Sequence, residues 1–205
     1  MSAVSRRAGR FSAGRAEEAQ RRLGALVEIR ELPSFPPRVV AGVDVHYEGS
    51  RACAAVAFLE YASLRELKTT TALSYSPLDY FPGFLAFKEA PAIFKALERC
   101  EKPDVLLVNG HGVCHPRGCG LATHVGVVEK VPTIGVALGP LAGARPGSFA
   151  KIERGQSSLY VSVGNLITLE QAEKVVRRLL APESKLPLPL YLAHRAARLA
   201  ARSRG

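Results

Sequence analysis

RVVAGVDVHYEGSRACAAVAFLEYASLRELKTTTALSY, residues 38–75, decides the fold class. Three runs, Arg38–Tyr47, Arg51–Tyr61 and Leu64–Tyr75, are rich in β-branched, aromatic and small apolar residues, and only short turns with Gly, Ser or Ala divide them. Strands joined that tightly pair antiparallel, so the stretch reads as a meander. Downstream the period lengthens. After a turn at Pro82–Gly83, Leu85, Ile93, Phe94 and Leu97 mark the apolar side of a helix over about Leu85–Arg99, with Lys88, Lys95 and Glu98 left for solvent. VLLVNG, residues 105–110, reads as a buried strand running into a Gly-rich loop. A helix near Gly120–Lys130, strands at Thr133–Ala137 and Ser158–Val163, and helices at Leu169–Leu180 and Leu190–Ser203 follow. Three antiparallel strands followed by alternating helices and strands make an α/β domain. We expect a mixed sheet of about five strands with helices on both faces.

Upstream, Ala19, Leu23, Leu26 and Val27 predict a helix over Arg15–Glu31, stopped by LPSFPP, residues 32–37. Residues 1–14 are polar and basic and read as a flexible tail, leaving one domain over 15–205. Nothing approaches the ~18 unbroken apolar residues of a membrane span. The first 20 residues lack the apolar segment of a secretory signal, so a cytoplasmic location and no membrane partner are expected.

The 205 residues carry a net charge of +10, and most of the 28 Lys and Arg are Arg. The guanidinium fork suits phosphate oxygens, and an excess of this size favours nucleic acid as partner, although Arg also accumulates with genome composition or heat adaptation. Such binding weakens steeply with salt. Cys53, Cys100, Cys114 and Cys119 lack the paired spacing of a zinc site and read as reduced thiols.

Three places can carry chemistry. Asp44 interrupts an apolar strand and shares a face with Gly42 and His46. A carboxylate there needs a partner, either a metal ion or a nearby Arg. Glu89 follows the apolar run Tyr80, Phe81, Pro82, Phe84, which sits at a turn. Those rings either cap the core or form a wedge between nucleobases. The densest signal is NGHGVCHPRGCGLATHVG, residues 109–126, where Gly110, Gly112, Gly118, Gly120 and Gly126 alternate with His111, His115, Arg117 and His124. Glycines admit a flat base or another backbone, and a following helix start suits an anion. The histidines and Arg117 read as phosphate donors.

This stretch resembles the endonuclease V motif Asp-Gly-x-Gly-x-x-His-Pro-Arg-x-x-Gly-x-Ala-x-His-x-Gly and departs from it only at Asn109. VAGVDVHY, YFPGFLAFKE, PTIGVA, LYVSVGN and LPLPLYLAHR are similar to further blocks of that family, from about residue 15 to 200. The resemblance implies a ribonuclease H-like fold, recognition of hypoxanthine-type deaminated purine in DNA or RNA, and Mg²⁺- or Mn²⁺-dependent cleavage at the second phosphodiester 3′ to the lesion. It implies Asp44 and Glu89 as metal carboxylates beside Asn109. It implies Tyr80, Phe81 and Pro82 as the wedge, and Gly83, Leu85, Gly110, Gly112 and Leu121 as the base pocket. His111, His115, Arg117, Gly118 and His124 are carried over as nucleic-acid contacts.

Three substitutions stand against ordinary turnover. Asn109 replaces a metal-binding Asp, Leu138 a Lys near the scissile phosphate, and Asn165 a His close to the metal site. Mg²⁺ tolerates one or two carboxylates, but a site with one charge fewer holds it weakly. Removing one preorganised stabiliser costs roughly 10²–10³ in rate. Cleavage is therefore expected to be very weak or absent while binding survives. His111, Lys151 or Arg145 could rescue an enzyme. The alternatives are a non-catalytic nucleic-acid-binding protein and a subunit of a nucleoprotein assembly with unknown protein partners.

Overall fold

The computed structural model describes residues 11–75, 81–182 and 184–203. The meander forms as β1 (Val39–Glu48), β2 (Arg51–Glu60) and β3 (Glu66–Tyr75), each antiparallel to the next. Eight of the ten residues of β2, ACAAVAFL, are buried because neighbours cover both its edges and helices both its faces. Then come α2 (Leu85–Leu97), β4 (Val105–Asn109), α3 (Leu121–Glu129) and β5 (Thr133–Ala137). They are followed by β6 (Phe149–Arg154), β7 (Ser157–Asn165), α4 (Leu169–Arg178) and α5 (Leu188–Arg202). The sheet order is β3-β2-β1-β4-β5-β7-β6, with β1, β4 and β5 parallel. β6 and β7 are antiparallel to their neighbours.

Seven strands stand where the sequence marks six candidates and suggests a sheet of about five. The strand unseen in sequence is β6, an edge strand in which only Ile152 is buried, so it carries no clear apolar alternation. The α1 helix spans Ala13–Ala25, shorter at its end than the predicted Arg15–Glu31. Side chains elsewhere capture the following backbone: Asn165 Oδ1 accepts from Glu28 N–H at 3.0 Å and Gln171 Oε1 from Leu32 N–H at 2.9 Å. The expected tail over 1–14 is corrected for residues 11–14. Phe11 packs on Phe81, Ser12 is the N-cap, and α1 begins at Ala13. Residues 1–10 lie outside the described residues.

Strand alternation sends side chains to two cores. One side buries Val43, Val56, Leu106 and Val108 under α2 and α3. The other buries Val40, Leu59, Leu107 and Ile134 under α4 and α5. Helix α5 approaches the sheet closely because Ala55 and Ala57 face Ala193 and Ala197. At Gly42 a Cβ would collide with the backbone of Pro189 and Leu190. That contact sets the register between β1 and α5. Two residues along a strand and four along a helix both advance ~6–7 Å. Asp44 therefore meets His194.

Candidate active site

Asp44 is 6% exposed, and both its oxygens are engaged. Asn109 Nδ2 donates to Oδ1 at 2.8 Å, and His194 Nδ1 lies 2.8 Å from Oδ2. Asp44 and Asn109 reach each other because β1 and β4 are parallel neighbours, paired through Val43 and Val108 one residue earlier. Both point to the α5 side. Glu89 enters from α2, on the opposite side of the sheet, and is partly buried. Its carboxyl is pushed up to about 8, first by burial and then by the negative charge of Asp44, with Lys88 pulling the other way. Asp44 and Asn109 thus meet at the carboxyl end of the parallel strands, where α/β sheets place their sites, and Glu89 lies near enough to feel the Asp44 charge.

Among the described residues no three of His, Cys, Asp and Glu form a metal cage. The donor set nonetheless fits a hard dication that keeps waters. It offers two carboxylates, of which Glu89 is driven toward its protonated form first by burial and then by the charge of Asp44. A bound dication reverses that repulsion. Asn109 contributes an amide and no charge.

His194 is absent from the predicted set. It lies 150 residues from Asp44 in a helix whose basic, amphipathic sequence advertises only a surface. Asn165 is a correction in the other direction. The resemblance places it close to the metal site, but β7 runs antiparallel to β5, so Asn165 pairs with Thr133 at the start of β5. Asn109 pairs with Val136 near the end of that strand. Asn165 is 5% exposed, and its amide donates to Gly126 O at 3.1 Å while accepting from Glu28. It ties α3, β7 and the segment after α1 together. Leu138, half exposed, follows β5 at the same end of the sheet as Asn109. Of the proposed rescuing cations, Arg145 hydrogen-bonds Val113 O. Lys151 pairs with Glu153 at 3.0 Å, two strands from Ala137.

A cavity of about 260 Å³ opens between α1, the turn before α2, and the Gly-rich loop. Gly83, Leu85 and Leu121 line it, joined by Gln20, Pro140 and Leu141. Gly110 and Gly112 lie behind it. Gly110 backs Leu121, and a Cβ on Gly112 would collide with the Val163 carbonyl. The volume is just below the ~300–1,000 Å³ of drug-sized pockets and suits one flat heterocycle. A larger cleft of about 500 Å³, lined by Val27, Arg145 and Leu169, is bordered by none of these carboxylates.

The loop histidines, read from sequence as phosphate donors, are held neutral by their surroundings. Burial lowers the pKa of His111 and His124, and burial together with Arg117 takes His115 down to about 4. His111 and His115 face the cavity as neutral rings. His124 packs against Phe87 and Phe94 instead. Arg117 is likewise committed internally. It donates to Gln20 Oε1 at 2.6 Å and Gly83 O at 2.7 Å, and its guanidinium lies 4.6 Å over Phe84. Gly118, with φ +73, takes the left-handed turn that follows it. Phe81 is 44% exposed and Pro82 is exposed at the turn; Tyr80 lies outside the described residues.

The endonuclease V family profile matches residues 21–155 and 139–195. An endonuclease V of Desulfurococcus amylolyticus is 42% identical over 89% of this chain and 93% of its own length. The crystal structure of endonuclease V from Streptomyces avermitilis superposes with a TM-score of 0.80 at 30% identity, covering 94% of each chain. These neighbours have the ribonuclease H-like fold, which is also the fold of this chain. Endonuclease V of Ciona intestinalis, solved with a 24mer DNA containing an inosine, superposes at 0.82 with 22% identity over 94% of this chain and 98% of its own.

Proposed function

This chain belongs to the endonuclease V family, and from that premise we propose that it recognises hypoxanthine-type deaminated bases in DNA or RNA and cleaves the strand slowly. The observation that carries the slowness is the Asn109 amide on Asp44 Oδ1, a neutral donor where the family motif has a carboxylate. The proposal takes residues 15–205 as one domain acting in the cytoplasm. No helix among the described residues is long and apolar enough to cross a membrane.

Each group has a role that follows from its chemistry. The extruded base enters the cavity between Leu85 and Leu121, where neutral His111 and His115 offer hydrogen bonds without repelling an uncharged ring. Phe81 and Pro82 fill the gap it leaves. Asp44 and Glu89 would hold a divalent cation, Mg²⁺ or Mn²⁺, with Asn109 beside them. When bound, the cation polarises the phosphodiester and acidifies water. Asp44 Oδ2 orients the His194 ring, whose side chain is 43% exposed. That leaves Nε2 to take the proton of the attacking water, in the manner of an Asp–His pair. Leu138 supplies no cation to the developing charge, which costs roughly 10²–10³ in rate.

The test is cleavage of end-labelled single strands containing inosine, DNA and RNA, with Mg²⁺ or Mn²⁺, beside binding to the same strands. We expect preferential binding and slow, Asp44-dependent cleavage. Turnover equal to that of the Desulfurococcus amylolyticus relative in a parallel assay would overturn the slow-enzyme reading. Selective binding with no cleavage would make the chain a non-catalytic binding protein, the reading that exposed Leu138 favours.

A further inference from the structure

Phe11 directly precedes Ser12, the N-cap of α1. Its ring stacks on Phe81, with centroids 5.1 Å apart and planes 9° from parallel. The same ring meets Phe84 at 5.3 Å and 76°, and Phe87 at 6.2 Å and 63°. Two edge-on contacts from α2 and its entry thus fix the plane of Phe11, and Phe11 fixes the plane of Phe81. The base of the arrangement is anchored as well. Gln20 Nε2 donates to Gly83 O at 3.0 Å, and Arg117 bridges Gln20 and Gly83. Hydrogen bonds therefore tie α1 to the turn before α2.

Phe81 is still 44% exposed with Phe11 against it. A ring that only plugged the core would be covered. An exposed aromatic on a turn, left alone, exchanges rotamers within nanoseconds. A ring that must receive a nucleobase face-on gains from being held.

We propose that Phe11 is a positioning residue of the wedge: it backs Phe81, so that a base beside the extruded one stacks on a preformed platform two rings deep. This rests on the substrate reading above. It adds a residue from the N-terminal segment, which the sequence assigns to a tail. Offset-stacked rings of this geometry are worth about two- to tenfold in an equilibrium constant.

The chain has no Trp, so Phe81→Trp introduces a single indole that reports on the wedge ring. Its time-resolved anisotropy is measured with Phe11 intact, in Phe11→Leu and in Phe11→Tyr. Strand affinity is measured for the same changes at position 11 on Phe81 proteins, using single strands with hypoxanthine or guanine at one position. Phe11→Leu keeps apolar bulk and should leave the far-ultraviolet circular dichroism unchanged. It should free the indole and weaken strand binding about two- to tenfold. Phe11→Tyr should restore both. Added to Phe81→Leu, Phe11→Leu should cost nothing more, because the ring it positions is gone. Unchanged indole mobility and affinity in Phe11→Leu, or fully additive losses in the double variant, would overturn the proposal. Equal wild-type binding of hypoxanthine and guanine strands defeats the substrate reading instead. The coupling between Phe11 and Phe81, read on total strand affinity, decides the role of Phe11 separately.

Discussion

Glu89 makes stability and cation binding depend on pH in a way that can be worked out beforehand. Its carboxyl titrates at about 8 in the folded chain against 4.5 for the free group. The folded protein keeps a proton that the unfolded chain releases, so this contribution is complete below pH 4.5 and is lost as pH rises through 8. At ~1.36 kcal/mol per pH unit, the span caps the effect at about 5 kcal/mol, reduced by whatever solvent reaches the side chain. His115 interferes in the acid half. Its pKa is lowered to about 4, so protonating the unfolded chain costs stability as pH falls below 6.5. The clean window is therefore pH 6.5 to 8.5, where Glu89 accounts for up to ~2 kcal/mol. For a chain of this length that is a fall of about 4–8 °C in melting temperature. The assay is thermal unfolding in EDTA across that window, wild type against Glu89→Gln, repeated with Mn²⁺. The wild type should lose stability with rising pH and Glu89→Gln should stay flat. A cation must displace the Glu89 proton, so apparent Mn²⁺ affinity should rise about tenfold per pH unit up to 8 and then level off. Parallel melting profiles for the two proteins, or a Mn²⁺ affinity flat from pH 6.5 to 8, would refute the assignment of Glu89 to this carboxylate pair.

Other perturbations separate the roles of the remaining residues. Asn109→Asp exchanges a hydrogen bond to Asp44 for a like charge, so it should melt earlier in EDTA, respond more to Mg²⁺, and cleave faster. Combined with Leu138→Lys it should exceed either single change, and cleavage assays that find the double variant no faster would count against both positions. Asn165→His should lose about 2–3 kcal/mol by removing buried amide hydrogen bonds and should add no cleavage, which denaturant unfolding and the same cleavage assay would check. His194→Ala should remove residual cleavage and leave strand affinity within about twofold; intact cleavage would show that another group moves the proton. Arg117→Ala should lower melting temperature yet leave the salt slope of binding unchanged, because its guanidinium is held by Gln20 and Gly83; a slope smaller by about one would instead mark a phosphate contact.

Residue pattern alone located the meander, the helices that follow it and the Gly-rich loop, whereas the resemblance to endonuclease V joined Asp44, Glu89 and Asn109 into one expected set. These features are written locally. Alternation and helical period record which face is buried, and a strand end beside glycines records where a chain must turn tightly. Tertiary structure decided the rest. Asn165 and Asn109 both end strands, but β7 runs opposite to β4, so they lie toward opposite ends of the sheet. No local pattern carries strand direction for a strand reached through an edge element as weakly patterned as β6. His194 reads as one polar residue in a basic helix until the contact at Gly42 sets α5 against β1 and delivers it to Asp44. Arg117 and the loop histidines read only as phosphate donors until their surroundings are known. Burial makes the imidazoles neutral, and α1 takes the guanidinium. Charge state and partner depend on what the rest of the chain packs around a side chain, and that packing comes from residues far away in sequence.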